Sequence, residues 1–481
     1  MAFQDFRDFL DVLRKHGELI DIDRPVAPHL EVAKALRKSA AIGGPACLFK
    51  NNGTRFPLVA GVYNSRVKAL IALGATEETV VDRILTGLAK RIPPVMVKDA
   101  PVHENVLTGD AIDLSALPVP KYGPDDGGPY ITPGIVVSQD PETGVPDIGH
   151  YRFEIIDKQT MSFNPLPMHR LGKNIAKARA MGHTTFRAAL VIGVDPMLAY
   201  TSPIQVPDDT NDFEVAGGLR GAPVELVRAK VVELDVPARA EFVIEFEADL
   251  TKEVMEGPLG EYTGYYGHAG PNPVARVLAI THRNDACFQG LLTGVPPTEN
   301  HILKQLPYEV SFLAMMRQQF PTIEKVAVPS SGGVSFRIIM AMKQRFAGEA
   351  RSAMLAAIAS NLRPKTVIVV DPDIDVHSSE QVEWALAFRM QPARDAIIVE
   401  GLPSGPLDPS SDESVKPDRR IGSAIGIDAT FPYGTVVRKA AEAGNICGPA
   451  IAEHGLEYVE VADVPGWRAY DFPELRKRGP A

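Results

Sequence analysis

The sequence has little cysteine and no long apolar run. Its 481 residues include three cysteines, Cys47, Cys287 and Cys447, which are far apart and form no CxxC pair. An odd number of widely spaced cysteines favours neither a disulfide framework nor a structural zinc site. No run approaches the roughly 18 uninterrupted apolar residues of a membrane-spanning helix, and the N-terminal segment carries charges where a secretion signal would be apolar. We therefore expect a protein of the reducing cytoplasm that makes no membrane contact.

The sequence also lacks excess positive charge and the common nucleotide-binding and hydrolase motifs. Its formal net charge of −10, without a dense lysine and arginine cluster, opposes binding to nucleic acid. No GxGxxG follows a strand, and there is no GxxxxGK[ST], GxSxG or HExxH. What is present, 45% apolar and 23% charged residues, is typical of a globular protein, and the length predicts two or three domains.

Hydrophobic periodicity divides the chain into three regions. Residues 1–105 contain segments with the helical period and segments with the alternation of a strand, beginning with an amphipathic helix over Phe6–Leu13. Residues 106–305 contain short β-branched segments separated by glycine and proline, which predict a β-rich domain. Residues 306–481 alternate helical and strand segments, which predicts an α/β layer with parallel strands.

Two local signals in the last region predict the ends of elements. Ser378 and Gln381 have the spacing of a capping box at the start of a helix. Ser330–Gly333 lacks the lysine of a phosphate-binding loop, so we expect a turn there.

Two glutamates flank a Gly-Pro-x-Gly turn in the segment EGPLGE, from Glu256 to Glu261. The glycines allow both side chains to reach one space. Neighbouring like charges raise the pKa of one carboxyl group, which then donates a proton near neutral pH. In an arbitrary sequence such a pair of glutamates is more often solvent-exposed on a hairpin. Here Tyr262, Tyr265 and Tyr266 follow directly, and aromatic side chains of this kind usually line a pocket.

A second set of polar residues could bind an anion and a metal. The segment DIGHYR ends on Arg152, whose guanidinium can hold a carboxylate bidentately or form a structural salt bridge. Asp147, His169, Asp212 and Glu214 supply one imidazole and several hard oxygens, which suit Mn²⁺ or Mg²⁺ better than structural zinc. The residues alone leave open whether this set converges or is unrelated surface.

Taken in order, these motifs resemble the UbiD family of prenylated-flavin-dependent decarboxylases. The resemblance covers nearly the whole chain, through the segments DFRDFLDVLRKHGELIDI, DIGHYR, MHR, FEVAGGLRG, EGPLGEYTGYY, TGVPPTENHIL and IGSAIGIDAT. It implies an α+β and α/β multidomain fold with an N-terminal α/β region, a central split β-barrel that binds prenylated FMN, and a C-terminal α/β oligomerisation domain. These divisions are expected to follow the boundaries at residues 105 and 305.

The resemblance also implies a mechanism. Loss of CO₂ from an sp² carbon leaves a carbanion that needs an organic electron sink, which the family's prenylated FMN supplies through a covalent adduct with the substrate. Arg152 would orient the substrate carboxylate, and Glu256 would hold Arg152. Glu261 would deliver the proton that replaces CO₂.

The implied cofactor site includes a divalent metal, Mn²⁺ or Mg²⁺, and K⁺. The family's metal ligands fall on Asp147, His169 and Asp212, but Asp147 replaces a usual Asn and Asp212 a usual Glu, so Glu214 remains an alternative to Asp212. His150 is expected either to face the cofactor or substrate or to pack in the core. The implied cofactor contacts are Ile148, His150, Tyr151, Arg152, Pro165, Leu166, Pro167 and Arg170.

The implied substrate is a small aromatic, heteroaromatic or α,β-unsaturated carboxylic acid, with CO₂ as the other partner. His301 is a candidate for the substrate pocket, with a surface position as the alternative. A flavin prenyltransferase would supply the cofactor, and the chain would form a homodimer or homohexamer. The alternatives are the carboxylase direction and a subunit of a multi-component enzyme. A non-catalytic flavin-binding protein is a third alternative, but it would not need both glutamates.

Overall fold

The computed structural model describes most of the chain. The described residues are 3–204, 206–405, 407–412, 414–415 and 419–435. Cys447 and the part of the predicted C-terminal domain after residue 435 lie outside these ranges. Cys47 and Cys287 are buried free thiols. Within the described ranges, no helix is both long enough and apolar enough to cross a membrane.

The first region is a small α/β layer, as predicted. Its elements are α1 (Phe6–Lys15), β1 (Leu19–Ile22), α2 (Glu31–Ala41), β2 (Ala46–Phe49), β3 (Leu58–Ala60), α3 (Arg66–Leu73), α4 (Val80–Ala89), β4 (Val95–Met96) and β5 (Asn105–Thr108). Helix α1 begins after Asp5, whose carboxylate accepts hydrogen bonds from the Arg7 and Asp8 amides, and its apolar face is buried. Strand β1 pairs in parallel with β2, and β2 pairs antiparallel with β3.

The central region carries the main sheet and three helices. Its elements are β6 (Tyr130–Ile131), β7 (Ile135–Gln139), β8 (Pro146–His150), β9 (Phe153–Ile155), β10 (Thr160–Phe163), α5 (Arg170–Ala180), β11 (Thr185–Ile192), α6 (Pro196–Thr201), α7 (Asp212–Arg220), β12 (Glu225–Arg228), β13 (Asp235–Pro237), β14 (Phe242–Glu256), β15 (Gly270–His282) and β16 (Phe288–Gln289).

The main sheet has nine strands in the order β6-β9-β10-β15-β14-β11-β7-β8, with β5 also pairing with β15. It curls into a half-barrel, which confirms the predicted split barrel. Phe153, Phe163 and Phe246 pack together inside it, with ring centroids 5.0 to 5.8 Å apart. Ile135–Val137 and Ala189–Ile192 are continuously buried because the sheet packs against a core on each face, and such short apolar runs are recognisable in the sequence as buried strands.

The last region is a five-stranded layer with helices. Its elements are α8 (Glu299–Arg317), β17 (Ile323–Ala327), β18 (Arg337–Met342), α9 (Glu349–Ile358), β19 (Thr366–Val370), α10 (Ser379–Arg389), α11 (Pro392–Asp395), β20 (Ala396–Pro403) and β21 (Ile421–Ala429). The strand order is β17-β18-β19-β21-β20.

The prediction of parallel pairing is correct for the centre of this sheet and wrong for its edges. Strands β18, β19 and β21 are parallel, whereas β17 and β20 are antiparallel to their neighbours. Strands β20 and β21 follow one another along the chain and pair antiparallel, a connection that needs no crossover helix.

The capping box is only half formed. The Ser378 hydroxyl accepts a hydrogen bond from the Gln381 amide, but the Gln381 side chain accepts from Asp375 because the Ser378 amide already donates to the Asp375 carbonyl. Ser330–Gly332 is a single 3₁₀ turn followed by Gly333 in the left-handed region, as expected.

The three regions are interlocked. Strand β16 of the central region pairs in parallel with β3 of the first sheet. The predicted division at residue 305 falls inside α8, which runs from the central region into the last one.

His301 is a buried residue in the first turn of α8, so a surface position for it is wrong. Its Nδ1 accepts a hydrogen bond from the Thr298 amide at 3.2 Å, and its Nε2 donates to the Tyr262 carbonyl at 2.6 Å. Burial lowers the pKa of His301 to about 4. The imidazole of His301 is therefore neutral, and both of its ring nitrogens are hydrogen-bonded to the protein backbone.

This arrangement predicts a pH dependence of stability. Because the folded pKa of His301 lies below that of an unfolded histidine, its contribution is present above about pH 6.5 and is lost as the pH falls toward 4. The free energy of unfolding of the wild type should exceed that of His301→Gln near pH 7, and the gap should narrow by roughly 1 kcal/mol per pH unit below 6.5. Urea unfolding at several pH values measures this gap, and a gap that stays constant would contradict the assignment.

Candidate active site

A hairpin of the half-barrel positions the two glutamates. Glu256 is the last residue of β14 and pairs with Gly270 at the start of β15. Gly257 has a φ of +95°, a conformation that disfavours residues with a Cβ. The Glu261 amide then donates to the Tyr265 carbonyl at 2.8 Å, which closes a second turn. These two turns bring the side chains of Glu256 and Glu261 to the same space.

Arg152 lies between the two glutamates. Its Nε and Nη2 donate to Glu256 Oε1 and Oε2 at 3.0 and 3.1 Å, and its Nη1 pairs with Glu261 Oε1. The side chains of Arg152, Glu256 and Glu261 are 16%, 0% and 12% exposed. The structure therefore unites the three predicted catalytic residues. It differs from the expectation of two facing like charges, because a guanidinium separates the carboxylates.

Three polar residues around Glu256 were not found in the sequence. The Tyr130 hydroxyl lies 2.9 Å from Glu256 Oε1 and 3.0 Å from Glu154 Oε2, and Asn272 Nδ2 donates to Glu256 Oε2 at 3.1 Å. Burial and the charges of the two carboxylates raise the pKa of Tyr130. Strand pairing alone brings these residues together, so no local motif marks them.

A second ionic cluster contains two of the three predicted metal ligands. Arg170 Nη1 lies 2.8 Å from both carboxylate oxygens of Asp212, and its Nε lies 3.3 Å from Asp147 Oδ1. Asp212 also accepts from the Ile148 amide at 3.0 Å. Burial raises the pKa of Asp147, and the charge of Asp212 raises it further. Two buried carboxyl groups thus share one guanidinium, and the raised pKa means that Asp147 takes up a proton more readily than a free aspartate.

His169 is not assembled with these carboxylates into a metal centre. Among the described residues, no group of three or more His, Cys, Asp and Glu side chains is arranged to hold a metal ion. His169 precedes α5 as its N-cap residue and makes no capping hydrogen bond with its side chain. Asp212, rather than Glu214, faces Asp147 across Arg170. The donor chemistry of the two aspartates fits a hard cation, but the arrangement of a complete ligand set does not.

The remaining predicted cofactor contacts lie around these two clusters. His150 is half-buried and its Nδ1 bonds to the Ser202 hydroxyl, and burial lowers its pKa to about 3. The Tyr151 hydroxyl accepts from the Leu171 amide at 3.3 Å. Pro165, Leu166 and Pro167 form the turn before α5, and Pro167 is exposed. This turn leads to the N-terminus of α5, where His169 makes no capping hydrogen bond and the Tyr151 hydroxyl binds the Leu171 amide. Amides at a helix N-terminus can donate to a phosphate.

Models of one enzyme family match three consecutive parts of the chain. They describe the N-terminal, Rift-related and C-terminal domains of 3-octaprenyl-4-hydroxybenzoate carboxy-lyase, and they match residues 10–88, 95–296 and 301–429.

Solved structures of similar fold include three decarboxylases or related enzymes. The UbiD-class enzyme HmfF from Pelotomaculum thermopropionicum, in complex with FMN, is 29% identical with a TM-score of 0.85, and the match covers 97% of this chain and 99% of HmfF. Vanillic acid decarboxylase from Sedimentibacter hydroxybenzoicus is 30% identical with a TM-score of 0.82, over 91% and 94% of the two chains.

The third is the 3,4-dihydroxybenzoic acid decarboxylase of Klebsiella pneumoniae, which is 27% identical with a TM-score of 0.82, over 97% of this chain and 99% of the other. The matched family models span most of the sequence, and the similarity to the solved structures extends along nearly all of it. The chain therefore belongs to the UbiD family and is a carboxy-lyase.

Proposed function

We propose that this enzyme decarboxylates a small aromatic, heteroaromatic or α,β-unsaturated carboxylic acid, reversibly and without net oxidation, with Glu261 as the proton donor. The observation that carries the proposal is the ion-paired arrangement of Glu256, Arg152 and Glu261 at one turn of the half-barrel. The family membership supplies the reaction class, and this arrangement supplies the roles.

Arg152 is suited to bind the carboxylate that leaves as CO₂. A guanidinium has five N–H donors, and each of its three nitrogens here faces a glutamate. Nη1 and Nη2 each keep a second N–H, so Arg152 can donate to a substrate carboxylate while Glu256 fixes its orientation. A positioned guanidinium of this kind holds a substrate at the reacting centre.

The two glutamates differ in how fully their oxygens are engaged. Glu256 is completely buried and accepts hydrogen bonds from Arg152, Asn272 and the Tyr130 hydroxyl. Glu261 is partly accessible and pairs with the Nη1 of Arg152. A carboxyl group that is accessible and lightly held can exchange a proton, whereas a saturated one cannot. Glu256 therefore has a positioning role, and Glu261 has the catalytic one.

Prenylated FMN fits the donor groups of this chain. The N-terminus of α5 suits its phosphate, and Ile148, Tyr151 and the Pro165–Pro167 turn offer apolar contact beside it. HmfF has been solved with FMN and, in an evolved dimeric form, with prenylated FMN. When bound, the prenylated flavin supplies the electron sink that decarboxylation at an sp² carbon needs. Arg170, anchored to Asp147 and Asp212, keeps this end of the site rigid.

We further propose that Asp212 and Asp147 contribute to a Mn²⁺ or Mg²⁺ site, with His169 completing it when the cofactor is bound. The support is chemical, because the two buried carboxyl groups that share one guanidinium offer the oxygen donors that a hard cation prefers. K⁺ remains a second proposed ion on the basis of the family resemblance.

The proposed subunit composition is based on similar enzymes. Vanillic acid decarboxylase was solved with a second component, ShVdcD, which keeps a multi-component enzyme as an alternative to the proposed homodimer or homohexamer. A flavin prenyltransferase is the proposed source of the cofactor. The carboxylation direction uses the same residues in reverse, with Glu261 as the base.

Glu261→Gln should retain flavin and lose most decarboxylation. Removing a general acid typically costs about 10²- to 10⁴-fold in rate, whereas the flavin contacts lie on other segments. The measurement is CO₂ release by protein co-expressed with a flavin prenyltransferase, together with the flavin absorbance of the purified protein.

Glu253→Gln is the matched control, because Glu253 is exposed on the same strand as Glu256. It should release CO₂ at the wild-type rate. Normal turnover by Glu261→Gln would exclude Glu261 as the donor.

Asp212→Asn should lower bound Mn²⁺, and Glu214→Gln should not. Asp212 faces Asp147 across Arg170, whereas Glu214 is not part of this ion-paired cluster. We expect roughly a 10- to 100-fold loss of metal affinity in Asp212→Asn, as for other changes around metal ligands. Elemental analysis after equilibration with Mn²⁺ measures the affinity, with circular dichroism to check folding. Loss of metal in Glu214→Gln alone would transfer the ligand role to Glu214.

A further inference from the structure

Two buried carboxylates hold the Gly257–Gly260 turn, which lies between the paired glutamates. The amide of Gly257, at the start of the turn, donates to Glu154 Oε2 at 2.7 Å. The amide of Gly260, at its end, donates to Asp126 Oδ1 at 3.2 Å. A hydrogen bond from an amide to a carboxylate is stronger than one to a neutral oxygen. Both ends of the turn are therefore fixed by side chains that come from other segments of the chain.

Neither carboxylate forms an ion pair with a lysine or arginine of the described residues. Glu154 and Asp126 are 6% and 4% exposed. Asp126 Oδ2 accepts from the amides of Tyr122 and Gly123 at 3.1 and 2.6 Å. Glu154 Oε2 lies 3.0 Å from the Tyr130 hydroxyl. A buried carboxylate without a cation depends on such donors, so the amides of the turn stabilise the two carboxylates as much as the carboxylates fix the turn.

The loop that carries Asp126 packs directly against the turn. The Gly127 amide donates to the Pro258 carbonyl at 2.8 Å. A Cβ on Gly127 would lie 2.5 Å from the Gly257 carbonyl oxygen and 2.6 Å from Glu154 Oε1, so only a glycine allows this close approach. The loop and the turn are therefore in backbone contact, and a shift of one is transmitted to the other.

The turn also decides where the side chain of Glu261 begins. Glu261 directly follows Gly260, and its carboxylate must reach Nη1 of Arg152. Glu154 comes two residues after Arg152 in the chain. One short segment thus binds the Glu256 side chain through a guanidinium and the next amide of the chain through a carboxylate. The position of Glu261 relative to Arg152 depends on both ends of the turn.

We propose that Asp126 and Glu154 are positioning residues that fix this turn and, through it, hold Glu261 against Arg152. The inference rests on the proposed role of Glu261 as the proton donor. A general acid must lie within roughly 3 Å of the atom that it protonates. A small shift of the turn should therefore slow proton transfer, while Arg152 still binds the substrate carboxylate.

The first test measures the turn itself and needs no turnover. Hydrogen–deuterium exchange, read by mass spectrometry on peptides that cover residues 254–262, compares wild type, Asp126→Asn, Glu154→Ala and Asp125→Asn, each co-expressed with a flavin prenyltransferase. Asparagine has the shape of aspartate but only one acceptor oxygen, so it cannot serve all three amides that Asp126 binds. Asp125 is the exposed neighbour of Asp126 and provides the control.

Amide exchange in this segment should be roughly 10- to 100-fold faster in Asp126→Asn and in Glu154→Ala, because a hydrogen bond to a charged group is lost in each. It should be unchanged in Asp125→Asn. Circular dichroism and flavin absorbance should match those of the wild type, which shows that the change is local. If Asp126→Asn does not fold, Glu154→Ala tests the same turn from its other end. Unchanged exchange in a folded variant at either position would overturn the proposal.

The second test is kinetic. Asp126→Asn should lower kcat for CO₂ release by roughly 10- to 100-fold, the cost of a misplacement of about 1 Å, with KM close to that of the wild type. Asp125→Asn should keep the wild-type kcat. In the Glu261→Gln background, Asp126→Asn should lower kcat no further, because it acts through Glu261. If the two losses multiplied, Asp126 would have a general structural effect, and the proposal would be overturned.

The outcomes separate this inference from the proposed function. If the wild type released no CO₂ from a panel of aromatic, heteroaromatic and acrylic acids, the proposed function would be contradicted, whatever the exchange measurement gave. If the wild type released CO₂ and Glu261→Gln did not, but Asp126→Asn matched the wild type in exchange and in kcat, only this inference would be contradicted.

Discussion

The buried ion pair between Glu256 and Arg152 is the interaction on which the rest of the site depends. Glu256 is fully buried at the end of β14, where a carboxylate without a cation would be costly. Arg152 neutralises it through two hydrogen bonds, and Tyr130 and Asn272 satisfy the oxygens further. The guanidinium is thereby fixed in one orientation, with Nη1 directed at Glu261. The half-barrel thus supplies a fixed cation, and the second turn of the hairpin places Glu261, the proposed proton donor, beside it.

Charge is distributed unevenly along the site. Arg170 faces two carboxyl groups, Asp147 and Asp212, whose oxygens are the donors that a hard metal ion prefers. Arg152 is shared by two glutamates. The two clusters therefore differ in the group that each can accept.

The sequence predicted much of the fold and the main catalytic group. Periodicity identified α1 because its apolar residues follow the spacing of an amphipathic helix, and the EGPLGE motif identified Glu256 and Glu261. It did not identify Tyr130, Glu154 or Asn272, which meet through strand pairing over long sequence separations. It also gave no sign that Arg170 pairs with both aspartates, or that edge strands β17 and β20 run antiparallel. Such features depend on tertiary register, which no local pattern records.

We infer that Glu256 and Glu261 act as one unit through Arg152, which pairs with both. The most direct measurement is kcat/KM for CO₂ release by Glu256→Gln, Glu261→Gln and the double variant. When two residues act through a shared partner, the free-energy costs of replacing each one do not add up in the double variant. We expect kcat/KM of the double variant to be about as low as that of the more impaired single variant. If the two losses multiplied in the double variant, the glutamates would act independently, and the shared role of Arg152 would be contradicted.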